Sequence, residues 1–463
     1  MGATAAIADF IVGHTYGRIP PSVVERAKGH VLDGVGVMLA GNAEKGTRIL
    51  QDHLQGLGGK KEASVLGTRL RLPCQWAALA NGASGHAMDY DDTQLTTSKT
   101  SVYGLLTHPT VPALAAALAV GEAVKAPGKA LLNAYIVGVE VECRIADAIN
   151  PRHYQHGFHS TATMGGFGAA AAAAVLLRLN RDQVLRALGL AASMAAGLRE
   201  NFGTMTKPFH AGRAGENGVL AALLARRGFT TSREILEAKR GFFQAAGGGF
   251  DEGKIVGRLG NPYFFTAPGI SIKPYPSGSL SHPAQDVILD LLKANNITPD
   301  QVAGIQVGTN SNVPNALIHA EPKTALEGKF SIPFCMAIAV LERKAGIAQF
   351  VDRKVRDPKT VALMKKIQLY VHPDLEAMGY DHVRSVVEVQ LTDGRVLSGK
   401  ADVARGHPQK PMSWAELAEK FHECAALVLP KTQAKKAEAA IHTLERIPQA
   451  DALVRYLVPG ARR

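Results

Sequence analysis

The stretch TMGGFGAAAAAAVLLRL, Thr163–Leu179, decides how the chain folds. It has no charge before Arg178 and no alternation of apolar and polar residues, so a strand is a poor fit and a helix a good one. It is also rich in Gly and Ala where helices usually carry bulky side chains. Small residues let helix axes approach closely, which predicts a tightly packed bundle. Within it, Gly166-x-Gly168-x-x-Ala171 matches a relaxed dinucleotide fingerprint. That fingerprint works only between a strand and a helix, and Pro151–Met164 contains no plausible strand. A glycine-rich helix face is the better reading.

Working outward, residues 1 to about 245 read as helix after helix. Val23–Leu39 is amphipathic and follows the Pro20-Pro21 pair. Val111–Val124, Leu131–Ile149, Arg181–Ala196 and Glu216–Arg227 repeat polar residues at helical spacing. Thr231-x-x-Glu234, just after Gly228, is a capping box expected to open another helix. Hardly any alternating strand is visible in this half.

The character changes after Gly247-Gly248-Gly249. Asp286–Asn295, Phe330–Arg343 and Pro358–Lys366 read as helices, and Thr298-x-x-Gln301 with Pro299 caps a short turn. Ile305–Thr309 alternates like a strand. Ser385–Leu391 and Arg395–Ala401 alternate on either side of Thr392-Asp393-Gly394, a strong hairpin signal. Arg405–Met412 is a Pro/Gly-containing linker, and Ser413-x-x-Glu416 caps a helical tail that runs to Leu457. The expected fold is mainly α. A helical bundle domain is built from both chain ends (1–268 and 405–463), with an inserted, smaller α+β lid domain (269–404).

At 463 residues the chain exceeds what one hydrophobic core usually supports, in keeping with two domains. Its 46% apolar and 20% charged content argues against extensive disorder. The four cysteines are far apart and form no CxxC, which disfavours a disulfide scaffold or a cysteine zinc site and suits a reducing compartment. The net charge of +12 would suit an anionic partner. No basic run exceeds two residues and no aromatic-plus-basic nucleic-acid motif is present, so a solvated basic surface is the first reading and a small anionic substrate the next, ahead of nucleic acid. The start, MGATAAIADF, lacks a basic n-region and carries Asp9 where a signal core would be, and no stretch is apolar enough for a bilayer. A cytoplasmic protein without a membrane partner is expected.

Asp89-x-Asp91-x-Thr93 matches the nucleophile motif of one phosphatase class. There the first Asp ends a buried parallel strand, whereas CQWAALANGASGHAM before it is helical in character. A magnesium site at Asp89, Asp91 and Asp92 is possible in principle. Three carboxylates at a helix start more often cap it and meet its dipole.

Five polar strings stand out from the small apolar residues around them. They are GHAMDYDDT (Gly85–Thr93), THPTVPAL (Thr107–Leu114), GFHSTATMGGFGAA (Gly157–Ala170), TMTKPFHAGRAGENG (Thr204–Gly218) and GISIKPYPSGSLSHPAQD (Gly269–Asp286). Each alone has a structural explanation; His86 and His210 read best as satisfied core histidines, and Lys207 alone would read as a surface residue. Together the strings resemble the MmgE/PrpD family over essentially the whole chain. The resemblance implies a homodimer and an active site between the two domains, with no cofactor and no metal. Carried over by motif, it assigns Asp89 and Thr93 to the D-x-D-D-T string, His108 to the His-Pro, His159 to Gly-Phe-His, Lys207 to Lys-Pro-x-His and Lys273 to Ser-Ile-Lys. Two departures from the family's decarboxylases stand out: a longer Gln94–Thr107 stretch and no tyrosine within Asn315–Ala320.

These residue types suit a small di- or tricarboxylate. Lys207 and Lys273 can hold carboxylates as charge-assisted pairs and meet developing negative charge, with Thr93 as a further binding group. His108 and His159 can act as general base and acid, with Asp89 orienting a histidine or the Thr93 hydroxyl. Three reactions fit. A 2-methylcitrate dehydratase-like hydro-lyase ranks first. Epimerisation of an iminodisuccinate-like dicarboxylate and decarboxylation of a cis-aconitate-like acid follow. A phosphatase or a non-catalytic anion-binding relative is a distant alternative.

Overall fold

The computed structural model describes residues 2–94, 107–379 and 383–460. The protein is mainly helical with a small sheet. The described residues divide into two compact units. One holds those within Met1–Leu95, Gly104–Ile270 and Ser413–Arg463, the other those within Ser271–Met412.

In the first unit the Thr206–Arg226 helix packs against Cys74–Ala87 and Ser160–Leu176, and Ser160–Leu176 packs in turn against Gly128–Ala148 and Thr110–Ala123. Glycines set the spacing. A Cβ on Gly82 would lie 2.7 Å from the Cα of Gly212 on the facing helix, and one on Gly138 would lie 2.7 Å from the Gly168 carbonyl oxygen. Larger residues at these crossings would push the axes apart, so the expected close packing is found. The Gly166–Gly168 run lies inside the Ser160–Leu176 helix rather than at a strand-to-helix turn. Near the other end of the chain, Trp414–Ala425 opens on the Ser413–Glu416 capping box and packs on Pro21–Ala40. Lys420 on that helix forms a buried ion pair with Asp33 at 2.5 Å and donates to the Tyr90 carbonyl oxygen at 2.7 Å.

Three sequence expectations for this unit need correction. The unit is not wholly helical, because Ala63–Ser64 and Arg71–Leu72 pair as two antiparallel strands too short to show alternation in sequence. Residues 231–240 form turns, not a helix. Thr231 Oγ1 donates to the carbonyls of Arg186 and Ser232 instead of capping, and the carboxylate of Glu237 bonds Thr4. The helix expected over Glu216–Arg227 begins ten residues earlier, at Thr206, so Lys207 and His210 lie in its first turns.

The second unit carries a four-stranded sheet in the order Ile367–Val371, Val302–Thr309, Ser385–Leu391, Val396–Ala401. The first pair is parallel, with Ile305 opposite Ile367, and the other pairs are antiparallel. Val387, Val389 and Leu391 alternate into the core, and the hairpin closes with Leu391 N–H donating to the Arg395 carbonyl at 2.8 Å. The helices His282–Ala294 and Ile332–Glu342 pack on the sheet and on each other. The parallel edge strand Ile367–Val371 went unread in the sequence. Only its first residue is buried, so it has no apolar face to give it away.

Among the described residues no helix is long and apolar enough to cross a membrane.

Candidate active site

The Cys74–Ala87 helix ends at Met88, and the chain turns through Asp89, whose φ of 51° lies in the left-handed region. Asp tolerates that conformation better than most residues because its short polar side chain can bond locally. The turn buries Asp89, Asp91, Asp92 and Thr93. The three carboxylates therefore follow a helix C-terminus instead of opening a helix, which corrects the sequence expectation. A helix, not a strand, leads directly into Asp89, so the strand-end setting of the phosphatase motif is absent as well.

Each carboxylate has a different task. Asp89 forms a buried ion pair with Lys207, brought to it by the Thr206–Arg226 helix. Asp89 was expected to orient a histidine or Thr93; in the structure it pairs with the Lys207 ammonium, and Asp91 is the carboxylate beside the His86 and His108 rings. Asp91 lies 2.9 Å from Nδ1 of His86 and 3.4 Å from Nδ1 of His108. Asp92 accepts from the Thr110 backbone N–H at 3.2 Å and pairs with Nδ1 of His30 at 2.7 Å. It thereby holds the start of the Thr110–Ala123 helix, and with it His108, against the turn.

The ring contacts fix much of the proton bookkeeping. His108 Nδ1 lies 2.8 Å from the Asp92 carbonyl oxygen. A carbonyl only accepts, so Nδ1 carries the hydrogen, and Nε2 of the neutral ring has the basic lone pair. His159, just before the Ser160–Leu176 helix, shares a hydrogen with His210, Nδ1 to Nδ1 at 3.1 Å. His86, His108 and His159 form one group, with ring centroids 4.5 Å (His86–His108), 5.7 Å (His86–His159) and 6.5 Å (His108–His159) apart. Lys207 and His159 flank the same Phe202 ring, at 5.3 and 5.1 Å.

Burial pushes the His159 pKa well below the usual histidine range, and the neighbouring His86, Lys207, His108 and His210 push the same way. Burial and Lys207 also lower His210. His159 is thus a neutral ring near pH 7, and the same effects make it a weaker base than an exposed imidazole. The cluster sits beside an ammonium whose charge is matched by Asp89.

Of the residues singled out in the sequence, Asp89, His108, His159 and Lys207 come together, with Thr93 buried in the same turn. Residues 95–106 of the longer Gln94–Thr107 stretch lie outside the described residues. Gln94 N–H donates to the Thr107 carbonyl at 2.9 Å and pins its two ends. Lys273 is buried in the second unit. Sequence reasoning missed His86, Asp91 and His210. His86 and His210 are buried as the structural reading expected, but they contact the proposed machinery. The signal was the helical spacing Lys207–His210 and the DYDD string, which gives two ring partners in a row.

The chain is 25% identical to a cis-aconitate decarboxylase of Mus musculus over 98% of its own length and 93% of the relative's. It is 26% identical to the Homo sapiens protein of that name over 98% and 94%, and 26% identical to one of Aspergillus terreus over 98% and 96%. Residues 5–253 match the MmgE/PrpD N-terminal domain and residues 275–446 the MmgE/PrpD C-terminal domain. With most of its length matched in two consecutive domains, the chain belongs to the MmgE/PrpD family.

Proposed function

We propose that the protein is a cofactor-independent lyase acting on a small di- or tricarboxylate, with decarboxylation of a cis-aconitate-like acid as its first reading. The observation that carries it is the buried Asp89–Lys207 pair beside the His86/His108/His159 group. Lys207 meets a substrate carboxylate as a charge-assisted contact, and its fixed charge stabilises negative charge developing on the neighbouring carbon. Thr93 donates a further hydrogen bond. The resemblance adds Lys273 as a second cation for a second carboxylate, in a lid that closes over the substrate, and a homodimer as the working form.

In decarboxylation the bond to the departing carboxylate breaks and carbon dioxide leaves. Its electron pair passes into the substrate, and a carbon takes a proton from a ring nitrogen. Protonated Nε2 of His108 fits that donor, because its Nδ1 is already fixed on the Asp92 carbonyl. In the sequence alone dehydration ranks first; full-length likeness to proteins named as decarboxylases moves decarboxylation ahead.

Dehydration stays as the second reading because His159 is held neutral. A neutral imidazole suits removal of a carbon-bound proton, and a protonated neighbour can then assist loss of the hydroxyl. Proton NMR in deuterated water on cis-aconitate, citrate, methylcitrate and malate tests both readings together. Loss of carbon dioxide with deuterium entering the product supports the first, and interconversion of hydroxy and unsaturated acids supports the second. If none of the acids is consumed and none exchanges a carbon-bound hydrogen, the lyase reading fails. Activity is expected to survive exhaustive chelation.

A further inference from the structure

The histidine group has a second chemical capacity. The ligand nitrogens that His86, His108 and His159 offer lie within 4.8 Å of one another, and all three residues are buried. Each ring is oriented through Nδ1: His86 by the Asp91 carboxylate, His108 by the Asp92 carbonyl, His159 by His210. Metal-bound histidines are commonly oriented in this way, with the second ring nitrogen bonded to a carboxylate or carbonyl that fixes the tautomer and raises basicity. This assigns Nε2 as the ligand atom of each ring. The Nε2 atom of His159 is buried and makes no hydrogen bond among the described residues.

We propose that His86, His108 and His159 form a three-imidazole binding site for a divalent transition-metal ion of the zinc type, in which Asp91 supplies the outer carboxylate. Zinc accepts three imidazoles and leaves a fourth position for water, at ligand distances of about 2.0–2.1 Å. Tetrahedral ligation puts the nitrogens about 3.3 Å apart, so they must close by up to about 1.5 Å from their present spacing. An imidazole set selects zinc, copper or nickel over magnesium or calcium, which prefer oxygen. Lys207 opposes a cation here, but Asp89 matches its charge and Asp91 adds a negative charge next to two of the ligands.

A bound ion occupies the nitrogens that the lyase reading needs as proton carriers, so zinc is expected to inhibit turnover. That consequence rests on the proposed function; metal binding itself does not. The test is titration of the full chain with zinc chloride by calorimetry, with zinc-edge X-ray absorption on the loaded protein. One ion per chain and a first shell containing three imidazoles are expected. His86→Gln should weaken binding at least about 100-fold and Asp91→Asn about 10–100-fold, whereas His53→Gln, at an exposed position, should change nothing. No stoichiometric uptake, a shell without three imidazoles, or unchanged affinity in His86→Gln overturns the site. The absorption measurement uses wild-type protein and decides the question even if a variant fails to fold. Zinc that binds in that shell yet leaves turnover unchanged overturns the inhibition and, with it, the assignment of proton transfer to these rings.

Discussion

Nδ1 of His86 lies 2.9 Å from the Asp91 carboxylate, five positions further along the chain. The same carboxylate lies 3.4 Å from His108, so one buried charge faces two of the three clustered rings. Replacing it with a neutral amide keeps the volume but removes the field that favours Nδ1–H on His86. Asp91→Asn is expected to lower turnover about 100-fold with the fold retained. Steady-state kinetics on the responsive acid, alongside circular dichroism, checks this.

The Asp89–Lys207 pair makes a different prediction. Both groups are buried, so removing one strands the other's charge. Lys207→Met is expected to cost about 3–5 kcal/mol of stability, and the double variant Asp89→Asn/Lys207→Met to recover much of that loss. Denaturant unfolding of wild type, Lys207→Met, Asp89→Asn and the double variant measures the coupling. Activity should be lost in both Lys207→Met proteins, because the apolar replacement restores packing without restoring the cation. A double variant as unstable as the single one would show that the pair is not the cause.

How far the sequence could be read follows from these contacts. The bundle was legible because helical period and small residues recur from Pro21 to Arg226, and the hairpin because Asp393-Gly394 sits between alternating runs. The edge strand Ile367–Val371 and the turns at 231–240 were not, since the first buries almost nothing and the second spends its capping residue on Arg186. At the site, the residue types in the polar strings were legible, but their pairing was not. Asp89, Asp91 and Asp92 are chemically alike and lie within four residues. Only the left-handed turn at Asp89 and the close crossing of Gly82 and Gly212 decide which of them meets the lysine and which meets the rings.

Lys420 ties the Trp414–Ala425 helix to the Asp89–Thr93 turn. Its ammonium lies 2.5 Å from Asp33, 2.7 Å from the Tyr90 carbonyl oxygen and 3.8 Å above the Tyr90 ring. Burial raises the Asp33 pKa to about 6 even with the lysine beside it, so without that lysine Asp33 should be protonated at neutral pH. Lys420→Met is therefore expected to destabilise by about 3 kcal/mol, at the low end for a broken buried pair, because protonation relieves the stranded charge. Thermal unfolding at pH 5 and pH 8 checks this: the deficit relative to wild type should be smaller at pH 5.

His210 reaches the proposed chemistry only through His159, so it is a positioning residue. His210→Ala removes the Nδ1 partner at 3.1 Å and frees the His159 ring to rotate. A fall in kcat of about tenfold or more is expected with KM nearly unchanged, because the carboxylate-binding cation is left in place. A purely structural role would instead lower the melting temperature and leave the kcat of the folded fraction intact.

His153 allows the sign of the pH dependence to be tested away from the carboxylates. It is buried against Thr163, with Nε2 3.0 Å from the hydroxyl, and desolvation lowers its pKa to about 4. The unfolded chain binds this proton near the ordinary histidine value, about 6.5, so between those two values the unfolded state holds more protons. Stability from this group is therefore complete above about pH 6.5 and is lost as the pH falls toward 4. Relative to His153→Asn, wild type should lose up to about 3 kcal/mol over that window. Comparing the two proteins cancels the opposite trend from Asp33, whose raised pKa makes its contribution fall as the pH rises. Urea unfolding at half-unit steps measures the difference, and parallel curves for the two proteins would show that His153 titrates alike in both states.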